Sequence, residues 1–393
     1  MKKIAILLSL ILLTACGSSS DTHPESAIKI SDIVASPDGQ LWISISDPSD
    51  PSIEILEPLN NGISQSIEFE VPPSSIAFFK DDTNSERFAV QQISADYTSS
   101  QVSIGSLSDP STTSLFLNKA KSDYTVKAYN QNLYHIGRFS IDTIESLSLS
   151  DNELTSNWNY SALNDNETGS ANTYHIEHRN NQFAYLIRYG QTTVEEIDVT
   201  ASDAAIFFTG NSIDLSDYIV EGASSPNAVS AKIIGSELFV LLQRQDVNFT
   251  AQEAYLAVFD ISDPDNITEI DTQTSSGGLK GIKLNHRNPV GLDIQGSNIF
   301  IANRGDYGVN QGGLEVVNIS NYSVTTLVDG NSFPELNTSN ALFHVTDVSI
   351  IDQNTGYAAL NIEEGYTTLR TELVRFDPST LTLSGLVDLS STK

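Results

Sequence analysis

The stretch Asn288–Asp329 decides the fold: NPVGLDIQGSNIFIAN over 288–303, a loop, then GGLEVVNISNYSVTTLVD over 312–329. Leu292 and Ile294 alternate with polar neighbours, so they share one face of an extended strand. Gln295-Gly296-Ser297-Asn298 reads as a tight turn into a second strand. After the loop, Ser320-Asn321-Tyr322 joins two more strands in the same way. The unit is four short strands, with no amphipathic stretch long enough for a helix.

The same grammar recurs from Ser31, Ser74, Ser122, Asn172, Ser225 and His344, each time as two strands, a connection and two strands. Seven copies of a four-strand unit are the mark of a propeller, because one small twisted sheet cannot bury both faces alone. A pair of sandwiches or a long solenoid is the rival arrangement, and seven full copies favour the ring. The expectation is an all-β chain: a single seven-bladed β-propeller over 28–393, with four antiparallel strands per blade. The last copy contains its own four strands, and Ile28-Lys29-Ile30 is a further short run, so the manner of closure stays open.

Val258-Phe-Asp-Ile-Ser-Asp-Pro-Asp265 resembles the LVIVD-type propeller repeat, and Ile299-Phe-Ile-Ala-Asn-Arg-Gly-Asp306 is similar to the strand-b end of lactonase-like (YVTN-type) seven-bladed propellers. These motifs span two blades. The resemblance implies architecture rather than activity, since those families include enzymes and binding proteins.

The N-terminus reads separately. Lys2 and Lys3 precede an apolar run from Ile4 to Leu13, then Leu13-Thr14-Ala15-Cys16. That is a secretory signal, too short to span a bilayer, which needs roughly 20 residues. The tetrapeptide resembles the bacterial lipobox, which implies a signal peptide over 1–15, lipidation of Cys16 and a membrane anchor of more than one acyl chain. Gly17 after the cysteine, where Asp would signal inner-membrane retention, points to the outer membrane. Residues 16–27 read as the lipidated cysteine and a polar tether reaching roughly 20 Å as a random coil. Cys16 is the single cysteine, so the body has no disulfide, thiolate nucleophile or cysteine-based metal site.

Fifty acidic residues stand against 20 basic ones, a net charge of −30. Such a field excludes nucleic acid as a partner. No phosphate loop, G-x-S-x-G or H-E-x-x-H occurs, and no cofactor is expected. His175 and His178 lie three apart, on opposite faces of a strand, which argues against a shared metal. Asn164–Gly169 begins like a calcium loop but lacks the twelfth carboxylate. Arg304-Gly305-Asp306 reads as a turn.

The a–b and c–d turns are short. The predicted long connections are Gln243–Ala254, Asn303–Gly313 and Asn361–Thr371 between strands b and c, and Asp271–Pro289 and Asp329–Phe343 between blades. All fall on one face, where long ordered loops usually carry function. Arg138, Arg188, Arg244 and Arg304 close strand b in four successive blades, with Arg287 and Arg370 in nearby loops; the chain has nine arginines in all. Guanidinium forks suit carboxylates and phosphates, although each could instead pair with an acid of the next blade. The candidate ligand-binding set is these six arginines with Tyr307, Tyr366 and His344. The expected role is a binding or scaffold lipoprotein that presents this face to an outer-membrane or periplasmic protein or a small anion. The alternative is a lactonase- or cycloisomerase-like enzyme using the arginines with Glu363, His286 or His344. Cys16→Ser is expected to abolish incorporation of labelled palmitate and to move the chain from the membrane to the soluble fraction.

Overall fold

Strand b of each repeat is apolar on both faces, and that places every blade between two neighbours. In the computed structural model, which describes residues 28–389 apart from 60, 275–277 and 339, Ile299 and Ile301 pack towards the preceding blade while Phe300 and Ala302 pack towards the following one. The signal, Cys16 and the tether lie outside the described residues. Seven antiparallel sheets follow one another over 30–68, 73–119, 124–161, 173–214, 228–287, 289–329 and 342–387, here blades 1 to 7. Each has strands a to d in sequence order, and strand a of each blade touches strand a of the next around the axis. Seven hydrophobic clusters fill the seven seams, one per pair of adjacent blades, including the pair 7 and 1. Leu256, Val258, Leu292 and Ile294 meet in the seam of blades 5 and 6. The chain is therefore a seven-bladed β-propeller, and no helix among the described residues is long and apolar enough to cross a membrane.

Two predicted loops turn out to be partly strand. Within Asp271–Pro289, residues Ile282–Arg287 pair with Glu253–Asp260, completing a fourth strand begun by Thr268–Glu269. The alternation of buried Ile282 and Leu284 drives this. The Tyr218 hydroxyl bridges the break, accepting from Gly281 N–H at 2.7 Å and donating to Glu269 at 2.5 Å. A Cβ on Gly281 would lie 2.5 Å from that hydroxyl, so the close approach requires glycine. Within Asn361–Thr371, strands Thr355–Glu364 and Thr367–Asp377 continue pairing up to a two-residue turn at Gly365-Tyr366. Gly365 supplies the positive φ (59°) that such a turn needs, and the flanking β-branched residues favour extension.

Blade 7 takes all four strands from the C-terminal end, and among the described residues no strand is exchanged across the closing seam. Ile28 and Ile30 instead clip onto Thr371 of blade 7: Thr371 N–H donates to Ile28 O at 2.7 Å, and Ile30 N–H donates to Thr371 Oγ1 at 3.0 Å. Nearer the axis, Ile33 N–H of blade 1 donates to Asp347 Oδ2 of blade 7 at 2.9 Å, and Ile76 N–H of blade 2 donates to Asp32 Oδ2 at 2.8 Å. Burial, and then the neighbouring Asp32, push Asp347 up to about 8, so the two carboxyls hold one proton between them at neutral pH.

A carboxyl in the unfolded chain loses its proton near pH 4, so the folded state binds the extra proton between there and about pH 8. Stability must then fall as pH rises through that window. His135, His175, His178 and His344, all pushed down by burial, act in the opposite sense only below about pH 6.5. The thermal midpoint is expected to drop between pH 6.5 and 8, and Asp347→Asn, which keeps an acceptor for Ile33 N–H, should remove most of that drop. A variant with an unchanged pH slope would contradict the shared proton.

Candidate functional site

One position in strand a faces the axis in every blade. Its members pair across to strand b, with the penultimate residue in five blades: Asp32 with Ser44, Thr125 with Ile136, His175 with Ile187, Ser230 with Leu241 and Gly291 with Ala302; where strand b runs on further, Ser75 pairs with Gln91 and Asp347 with Ala359. Two residues further along, on the same side, come Lys127, Glu177, Lys232 and Asp293 in blades 3 to 6. Several of these reach sideways to the next blade. Glu177 Oε1 accepts from Ile233 N–H at 2.9 Å, and Asp293 Oδ2 accepts from Ile350 N–H at 2.8 Å. Burial alone would raise Glu177, but His175 at 3.1 Å and Lys232 at 3.8 Å hold it below its ordinary value. The axial set is thus a self-neutralising lining that also knits blades. Among the described residues no group of three His, Cys, Asp or Glu is placed to hold a metal. His178 turns away from the axis and stacks on Tyr129 at 4.1 Å.

The arginines lie towards the loop face, but not in register. The backbone N–H groups of Arg138 and Arg304 donate to Asp123 O and Asn288 O, both at 2.9 Å, whereas the equivalent bonds in blades 4 and 5 come from Tyr189 and Gln243. Arg188 therefore sits one residue early and Arg244 one residue late, and a single step on a strand reverses the side chain. Arg188 is fully buried. It donates to both oxygens of Glu167 at 2.5 and 2.8 Å, and to Thr193 Oγ1 and Glu195 Oε1 at 2.7 and 3.2 Å. Glu167 belongs to the segment that resembled a calcium loop, and here it serves the arginine. Arg138 pairs with Asp123 at 2.6 Å, Arg370 with Glu372 at 2.8 Å, and Arg244 and Arg287 bind backbone carbonyls. Each guanidinium is engaged locally, so the expected ring of free forks is corrected to a set of ties within and between blades.

The structure does gather part of the predicted set between blades 6 and 7. Arg304 forms an ion pair with Glu363 and lies 3.6 Å above the Tyr307 ring, and Tyr307 is 4.5 Å from Tyr366. His344 is buried beneath, its Nδ1–H donating to Arg304 O at 2.7 Å. Burial lowers its affinity for a proton, which leaves Nε2 as an acceptor. His286 stands apart, 3.3 Å from Thr326 on the outermost strand of blade 6, so the three residues considered for proton transfer do not converge. Asp306 accepts from Ala251 N–H at 3.2 Å, tying two loops.

Next to this cluster a cleft of about 550 Å³ opens over blades 7, 1 and 2. Tyr366, 85% exposed, forms one wall, and Tyr97 of the blade 2 b–c loop, 74% exposed, forms another. Lys29, Ser31, Ser74 and Asn361 also line it. Sequence reasoning missed this cleft because its contributors come from both ends of the chain. It also missed the axial set, although a signal existed: Ser31-Asp32-Ile33, Ser74-Ser75-Ile76, Tyr174-His175-Ile176 and Thr346-Asp347-Val348 each place a polar residue just before a buried aliphatic one.

No family model matches the chain, and no curated protein matches it in sequence. Among solved structures it is similar to hydrazine synthase of Kuenenia stuttgartiensis (TM-score 0.53, 14% identity, covering 89% of this chain and 99% of that one). It is also similar to a functionally unknown protein from Desulfotomaculum acetoxidans (0.53, 13%, 88% and 95%) and to a protein from Lactobacillus plantarum (0.51, 12%, 76% and 83%). At these identities the likeness is one of fold.

Removing Arg188 leaves Glu195 and Glu167 without their cation in a closed site. Arg188→Ala is expected to cost about 3–5 kcal/mol in urea unfolding, and Arg188→Lys should recover less than half, because a point charge cannot serve two carboxylates and a hydroxyl as a fork does. A loss under about 1 kcal/mol would mean that the carboxylates swing out to water.

Proposed function

We propose that this propeller is a lipid-anchored binding module of the outer membrane, which holds a protein resident in that membrane against its b–c loop face. One observation carries the reading. Of thirteen large hydrophobic side chains exposed among the described residues, seven belong to the b–c connections of five blades, Tyr97, Phe139, Val247, Phe249, Tyr307, Val309 and Tyr366, and an eighth, Leu369, stands at the start of strand c beside Tyr366. Isolated exposed apolar residues are ordinary, but a concentration on one face marks an interaction surface. Tyrosine and phenylalanine on rigidly held loops are the usual anchors of such contacts.

The position of the chain's entry supports the membrane side of the proposal. Ile28 and Lys29 lie at the loop-face end of strand a, beside Thr371 and the cleft. A lipid on Cys16, twelve residues before Ile28, would keep this face towards the bilayer. The net charge of −30 opposes direct adsorption to anionic lipid, so the apolar crown suits a protein better than the lipid surface.

The test is site-specific photo-crosslinking in cells, with the probe at Phe249 or Tyr307 and a control at Leu59, which is exposed on the opposite face. Discrete protein adducts are expected from the first two positions only, and a Phe139→Ser, Phe249→Ser, Tyr307→Ser variant with an unaltered melting temperature should lose them at least tenfold. Equal labelling from Leu59, or adducts to lipid alone, would overturn the proposal.

A further inference from the structure

The cleft over blades 7, 1 and 2 has a lining unlike the rest of the surface. Among the described residues that form it there is no aspartate or glutamate, in a chain that carries fifty. Its one cation is Lys29. The other described lysines make ion pairs or reach carbonyls, or in the case of Lys127 lie near the axial carboxylates; among the described residues no such partner is found for the Lys29 ammonium. Asn361 accepts through Oδ1 from Thr371 Oγ1 at 2.7 Å, so its amide nitrogen is the end left for a ligand.

The serines show the opposite polarity. Ser31 donates to Pro73 O at 2.8 Å, Ser46 to Lys29 O at 3.2 Å, Ser74 to Gln91 O at 3.2 Å, and Ser94 to Asp96 Oδ1 at 2.8 Å. Each hydroxyl proton is taken by an acceptor of the protein, so each oxygen is left to accept from a ligand, with Ser94 Oγ already accepting from Ser99 N–H at 3.0 Å. The cleft therefore offers acceptors from four serine hydroxyls, donors from one ammonium and one amide, the hydroxyls of Thr367 and Thr368 that can do either, and two exposed tyrosines whose rings form apolar walls. Its volume lies in the range of small-molecule sites.

The complement is a ring with several hydroxyl donors, apolar C–H faces and one carboxylate. The geometry points to this cleft as a binding site for an acidic sugar of the uronic-acid class, with Lys29 opposite the carboxylate, the serines accepting from the sugar hydroxyls, and Tyr97 and Tyr366 against the ring faces. A single flexible ammonium, with no guanidinium beside it in the described lining, suits one carboxylate better than a phosphate, which calls for several converging charged donors. The site does not depend on the protein partner proposed above, since it needs only the open loop face.

Titration calorimetry of the purified full-length protein in detergent tests it, with glucuronate, galacturonate, tetragalacturonate, glucose and acetate as probes. Glucuronate or galacturonate is expected to bind at least tenfold tighter than either glucose or acetate. Lys29→Met should abolish the advantage over glucose, Lys29→Arg should restore part of it, and Tyr366→Ala should weaken acidic and neutral sugars alike, with melting temperatures unchanged. Tighter binding of tetragalacturonate would identify an acidic polysaccharide as the source, and equal binding the free sugar. Acetate matching the uronates, or Lys29→Met leaving their affinity unaltered, would overturn the assignment. Loss of the photo-crosslinked partner has no bearing on these titrations.

Discussion

Strand b has no surface of its own. In blade 5, Phe239 and Leu241 project into one seam while Leu238, Val240 and Leu242 project into the other, all of them buried. A sheet built this way is stable only with a sheet on each side, and a linear stack would leave its two terminal blades with one apolar face in water. Closure meets the requirement for all seven at once. Each seam removes several large side chains from water, at roughly 1.5–3 kcal/mol for each such side chain, which is why short strands suffice.

With the apolar residues committed to the seams, the innermost strand is free to be polar. Its side chains cap the backbone N–H groups of the adjoining blade, a role that Asp32, Asp347, Asp293 and Glu177 perform with carboxylates. Packing carboxylates round one axis is electrostatically costly, and Lys127, Lys232, His175 and the shared proton on Asp32 and Asp347 offset it. The arginines further out act similarly. Arg188 seals a buried junction, and Arg304 joins blade 6 to blade 7. Much of the chain's scarce positive charge therefore serves the architecture, and this makes Lys29, which has no ion-pair partner among the described residues, informative.

Period-2 alternation and turn residues made the seven sheets legible, because both are local. The turn Gln295–Asn298 and the alternation of Leu292 and Ile294 needed nothing beyond their own neighbourhood. What depended on register was harder. Arg188 and Arg304 look equivalent when strands are aligned by eye, yet an offset of one residue buries the first and leaves the second at the mouth. The segment Ile282–Arg287 was obscured by the excursion before it, and Gly365-Tyr366 closed a hairpin where a wide loop was expected. The cleft was the least accessible, since Lys29, Tyr97 and Asn361 come together only when the ring closes.

Among the described residues the join between blades 7 and 1 uses no borrowed strand: it is an apolar cluster with Asp347, Thr371 and Ile28 as its polar fastenings. It is chemically the same kind of contact as the other six, so the ring has no privileged starting blade. A circularly permuted chain, with the original ends linked and a new opening cut in a short connection between two other blades, would inherit all seven seams. Order of synthesis and final architecture are thus separable in this molecule, and blades added or lost in evolution would alter circumference before they altered the way any one sheet meets its neighbour.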